Sequence, residues 1–197
     1  PNLFATSAPF ASTSSNLPAW GTCPGSQGPS GAGHAFAAKA DLQTAVDAWN
    51  DDSTSAETTY GNISTWDVSV ITDIEDLFRN KTNITSLDLS GWNTSNVTNM
   101  RSVFFGCSAL TSLNISNFDT SNVTNMYGMF FNCSGLTSLD VSNFDTSNVT
   151  HTYAMFYNCS GLTSLDVSNF DTSNVEYIGT MFRGCSSLTS LDVSNFD

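Results

Sequence analysis

Positive charge is scarce in this chain: five Lys+Arg stand against 18 Asp+Glu, a net charge of −13 over 197 residues. Phosphate binding needs clustered Lys and Arg, so neither nucleic acid nor an anionic membrane surface is an expected partner. Long apolar runs are missing as well, so no segment is built to cross a bilayer as a helix. No secretory leader opens the chain. The catalytic patterns G-x-S-x-G, H-E-x-x-H, G-x-x-x-x-G-K-[ST] and C-x-x-C are all absent. His34 lies in a Gly-rich stretch, His151 replaces an Asn, and neither forms a triad pattern with Ser and Asp. No enzyme is expected. Only 12% of residues are charged, so solubility must rest on Ser, Thr, Asn and Asp, a surface typical of secreted proteins.

What is present is repetition. Leu87, Leu113, Leu139, Leu165 and Leu191 are each 26 residues apart, and Phe104, Phe130, Phe156 and Phe182 keep the same step. A fixed period in this range marks a solenoid, in which each repeat is one coil stacked on the next. The repeats run as 61–86, 87–112, 113–138, 139–164 and 165–190, with a partial sixth after them. Residues 1–34 are rich in Ser, Gly and Pro and read as irregular. Residues 35–60 are expected to hold an N-terminal capping helix and a lead-in: Leu42, Ala45, Val46 and Trp49 fall on one helical stripe, with Asp41 as its N-cap. The chain opens at Pro1, as a trimmed product would, and stops at Asp197 without a written cap, so continuation by further repeats or a module is expected.

Within a repeat, Leu136, Leu139 and Val141 have the L-x-x-L-x-L spacing, with Ser138, Asp140 and Ser142 alternating outward as on a strand. Corresponding strands should pair in parallel about 4.8 Å apart. Asn143 to Asn148 is turn chemistry. Val149, Thr152, Met155 and Phe156 then recur at helical spacing and predict a short helix or 3-10 segment opposite the strand. The fold class is thus an α/β repeat solenoid, a leucine-rich-repeat-like right-handed coil.

The 15-residue refrain from Leu136 to Thr150, followed by Met155-Phe156 and Asn158-Cys159-Ser160, resembles the BspA-type leucine-rich repeat surface proteins, including the mycoplasma-type repeat catalogued as a domain of unknown function. The lead-in from Leu42 to Trp49, then Tyr60-Gly61 and Trp66-Asp67-Val68, is similar to that of algal and protist members. The resemblance implies a secreted or surface-displayed protein, with adhesion among the family's roles, and brings no catalytic residues. Phe144 stands where such repeats usually carry Asn or Cys, which removes the usual Asn ladder.

Several columns are candidate sites. Asp88, Asp140, Asp166 and Asp192, with Thr137 and Thr163 beside them, form the candidate binding face; Asp119, Asp145, Asp171 and Asp197 form a second acidic column. Like charges one coil apart repel by about 1 kcal/mol per pair in water, so solvent, hydroxyl donors or a cation must offset them. Calcium suits such oxygen-rich chemistry, but no calcium-loop pattern is written, and carboxylates hydrogen-bonded within turns are the simpler expectation. No metal site is assigned. Cys107, Cys133, Cys159 and Cys185 are close enough in successive coils for disulfides, yet their apolar setting suggests a buried thiol ladder. Cys23 stands apart.

Ten Asn-x-Ser/Thr sequons are N-glycosylation candidates in a eukaryotic secreted protein: Asn62, Asn80, Asn83, Asn93, Asn96, Asn114, Asn122, Asn132, Asn148 and Asn158. Asn96, Asn122 and Asn148 make one column that could instead be a turn-stabilising ladder. The flat Thr/Ser face also suits ice-binding solenoids, though a solvated strand face explains it more simply. The expectation is an extracellular or cell-surface solenoid for adhesion to, or recognition of, protein or glycan ligands, with no nucleic acid and no membrane insertion. The alternative is a structural subunit of an extracellular filament, appendage or coat, assembled by end-to-end self-association.

Overall fold

The computed structural model describes residues 33–197. The Ser/Gly/Pro-rich stretch and Cys23 lie outside the described residues, apart from the last two positions of that stretch. Helix α1 spans Lys39–Asp51 and α2 spans Ser53–Tyr60. The apolar stripe of α1 buries Leu42, Ala45 and Val46 completely, against a core that includes Phe36, Trp66 and Leu77. Its N-cap is Ala38, not Asp41, which sits in the first turn. The capping carboxylate belongs to the second helix: Asp52 accepts from the backbone N–H of Thr54 and Ser55, satisfying donors that a helix start leaves open.

From Ile63 onward the chain is a repeat fold whose coils run parallel in a 26-residue register. Strands β1 (Ser86–Asp88) and β2 (Ser112–Asn114) pair Leu87 with Leu113. On the opposite side, parallel bridges join Asp73 to Asn99, Asn99 to Asn125, Asn125 to His151, and His151 to Tyr177.

The expected short helix on that side does not form. Ala154 and Asn158 have φ of 55° and 57°, and each such left-handed residue ends a right-handed helical turn. The backbone N–H groups of Thr152, Ala154, Phe156 and Asn158 donate to the carbonyls of Tyr177, Gly179, Met181 and Arg183 in the following coil, at 2.7–3.0 Å. The intervening residues close three-residue turns, as where the Tyr157 N–H donates to the Ala154 carbonyl. The result is a turn ladder: half of its amides bind within a coil and half between coils. Other copies place Ser102, Gly106, Gly128, Asn132, Thr180 and Gly184 at the same two left-handed positions. Gly106 is doubly constrained, because a Cβ there would also lie 2.3 Å from the Asn80 side-chain oxygen.

The core runs through the coils as stacks. Phe78, Phe104, Phe130, Phe156 and Phe182 form a continuous aromatic column with ring centroids 5.4–5.6 Å apart. The Asn ladder that Phe144 was expected to remove is present one residue earlier: the amides of Asn143, Asn169 and Asn195 each donate to the carbonyl of the preceding coil's Phe (Phe118, Phe144 and Phe170) at 2.7 Å. A buried Thr column adds a second tie. The Thr94, Thr120 and Thr146 hydroxyls donate to the carbonyls of Asp119, Asp145 and Asp171 and accept from the same residues' N–H groups. Ser102 carries the one buried side-chain polar atom without a partner among the described residues.

Candidate functional site

The strand side of the repeats changes along the molecule. After β2, no backbone hydrogen bond joins Ser138–Asp140 to Ser164–Asp166, or those residues to Ser190–Asp192, among the described residues. There the coils open a shallow groove of about 490 Å³, lined by Ser, Leu and Asp from each of three coils. Leu139 and Leu165 floor it at 8% exposure, while Leu87 in the paired part of the sheet is at 3%.

Asp140, Asp166 and Asp192 are thereby brought together along one groove wall, all exposed. Asp88 is exposed in β1 and lies outside the groove; Thr137 and Thr163 border it. The Thr163 hydroxyl is engaged by the Thr137 carbonyl at 3.2 Å. Each Asp is tied locally, accepting from the N–H two residues on: Ser90, Ser142, Ser168 and Ser194, at 2.9–3.1 Å. The Ser142 hydroxyl and N–H hold the Asp140 carboxyl below the usual value of 3.8. The N–H and hydroxyl of Ser168 do the same for Asp166, against the opposing push of Asp192 and Asp140. Turn donors therefore offset the repulsion along the column, and the groove stays anionic in neutral solution. In the second column, Asp119, Asp145 and Asp171 each accept from a Ser N–H at 2.9–3.0 Å and from its hydroxyl at 2.6 Å. No group of three or more His, Cys, Asp or Glu side chains among the described residues is arranged to hold a metal ion.

The thiols of Cys107, Cys133, Cys159 and Cys185 each donate to a Phe carbonyl of the preceding coil at 3.0 Å, and all four are free. Burial pushes Cys107 and Cys159 up to about 12 and raises Cys133 well above 9.0. Such thiols are poor nucleophiles and poor metal ligands.

The sequon residues divide by what their amides do. Asn96, Asn122 and Asn148 donate to the Ser69, Ser95 and Ser121 carbonyls of the preceding coil at 2.7–2.8 Å, and Asn174 extends this ladder. Asn62 donates to Glu57, Asn83 to the Asn50 carbonyl, and Asn158 to the Asn132 side chain. Asn80, Asn93 and Asn114 are exposed, and their amide nitrogens make no hydrogen bond among the described residues. Sequence reading missed the buried Thr column, whose Thr-Ser-Asn setting looks like plain turn chemistry, and it missed the turn ladder.

The profile of a family described as "Mycoplasma protein of unknown function, DUF285" matches residues 50–163 and 130–197. A search of curated proteins gives no match. Among solved structures, a leucine-rich repeat protein of T. pallidum aligns with a TM-score of 0.41 and 18% identity, over 60% of this chain and 50% of that one. The aligned part thus spans half the length of that protein.

Proposed function

Because this chain belongs to the DUF285 family, we propose that it is a secreted or surface-displayed adhesion module, built as a right-handed leucine-rich-repeat solenoid. Its ligands are proteins or glycans met outside the cell. The observation that carries this reading is the groove in which Ser138, Asp140 and their equivalents recur coil after coil above a leucine floor. Identical polar groups at a fixed spacing suit a ligand that is itself extended, held by many weak contacts whose sum is strengthened when copies are displayed together. Hydroxyls and carboxylates there can accept from sugar hydroxyls, peptide N–H groups or side-chain cations.

The test is binding of the purified chain to immobilised extracellular-matrix proteins and to a glycan array. The double variant Asp140→Asn, Asp166→Asn should lose more than about tenfold in apparent affinity, roughly 1.4 kcal/mol, with an unchanged circular dichroism spectrum. Both residues are exposed, so their removal leaves the core intact. No binding by the parent chain, or full binding by the variant, would sink the proposal.

A further inference from the structure

The chain's cations are all spoken for, and none of them serves the groove. Lys39, Arg79, Lys81 and Arg101 are each paired with a carboxylate in the first coils and α1. Beyond Arg101 the sequence has one further basic residue, Arg183, which lies over the Tyr157 ring on the turn side. Residues 136–197, which hold the whole groove, carry six Asp and one Glu against that single Arg. Asp140, Asp166 and Asp192 are thus exposed carboxylates with no ion-pair partner among the described residues. Each takes its turn N–H on Oδ1. A carboxylate has about four acceptor sites, so capacity is left over.

The shape of the groove restricts what can lie in it. In each coil a Ser and an Asp face outward on either side of a Leu that faces in. A row of Ser138, Ser164 and Ser190 therefore runs beside the row of Asp, with the leucines between them. The rows stand two extended residues apart, about 6.6 Å. A single extended chain fits that width, whereas an α-helix, about 10–12 Å across with its side chains, does not. No aromatic ring lines the groove for a sugar to stack on. Its aliphatic floor suits the methylene stem of Lys or Arg, whose charged head then reaches the Asp row. The exposed Ser hydroxyls can donate to the carbonyls of a peptide backbone.

We infer that the groove is the docking site for an extended, basic segment of a partner protein, with Lys or Arg at alternate positions. This rests on the adhesion reading above and narrows its ligand. Three coils at about 4.8 Å per step span roughly 10 Å, a length that three extended residues cover. Side chains two residues apart fall on one face of such a segment, so two basic groups together reach the three Asp. The field of a chain of net charge −13 draws the segment in, and the two rows fix its line.

The probe is the peptide Lys-Ser-Lys-Ser-Lys-Ser-Lys, titrated calorimetrically into the full chain. Binding is expected, and it should weaken as added salt screens the exposed charges. Acetylating the lysines removes their charge and should cost more than about tenfold in affinity. The double variant Asp140→Asn, Asp166→Asn should lose as much. Asp145→Asn with Asp171→Asn makes an equal change of net charge outside the groove and should stay within about twofold of the parent. Equal losses in the two double variants would assign the attraction to net charge alone and overturn the inference, as would full binding by the acetylated peptide. A parent chain that binds matrix proteins or glycans but ignores the peptide overturns it and leaves the adhesion reading standing. Binding to none of them sinks both.

Discussion

Replacing Thr146 with Val removes one oxygen and leaves both backbone groups of Asp171, in the next coil, without their partner. Thr146 is only 2% exposed, so water does not take the hydroxyl's place. Loss of about 1–3 kcal/mol is expected, read as a lower denaturation midpoint with an unchanged slope. The thiols give a second effect at this scale. A buried thiol keeps its proton up to about 12, while the unfolded thiol loses it near 9.0. Above that lower value the unfolded state binds fewer protons, so stability falls as pH rises, by about 1.4 kcal/mol per pH unit for each thiol until the folded group titrates. Denaturant titrations from pH 8 to 11 should show this decline, and Cys133→Ala should lessen it. An alkaline plateau in stability would contradict the buried-thiol geometry.

At the scale of the element, the turn ladder depends on residues that tolerate a left-handed backbone. Ala154 adopts φ of 55° where the preceding copy has Gly128. An L-residue in that region costs about 1–2 kcal/mol, so Ala154→Gly should raise stability by up to about 1 kcal/mol after the added freedom of the unfolded chain is counted. A thermal melt reads the sign directly. This element also marks the limit of sequence reading. The 26-residue spacing of Leu87 and Leu113 stated the register, and Leu42, Ala45 and Val46 stated the helix, because burial forces a period on both. Thr152, Met155 and Phe156 carry a helix's spacing for another reason: alternate amides bind between coils. Ala, Ser and Thr at left-handed positions give no warning, since only Gly and Asn signal such backbone reliably. The groove was legible as a column of Asp but not as an opening, because the lapse of backbone pairing follows no change in the refrain.

Over the whole molecule, each coil touches only its neighbours, so cooperativity passes through the ladders. Phe130→Ala removes a fully buried ring stacked on both sides and should cost about 3–5 kcal/mol. It should also split the unfolding transition in two, as hydrogen exchange would resolve. The same change at the half-buried Phe182 should cost less and leave one transition. The uneven direction of hydrogen bonding on the turn side has a further effect. From Ile74, Asp76, Phe78 and Asn80 onward, four N–H groups per coil point toward the following coil, with their matching carbonyls toward the helices, against one, at Thr98, Thr124, Thr150 and Glu176, that points back. The peptide dipoles therefore add along the axis, as they do in a helix, with the negative pole at the end where α1 packs. Gln43 on α1 donates to the Leu77 carbonyl there. Lys39, Arg79, Lys81 and Arg101, four of the five basic residues, gather at that same end. A protein built from near-identical coils thus acquires an electrical direction, and at its negative end each of these four cations is paired with a carboxylate.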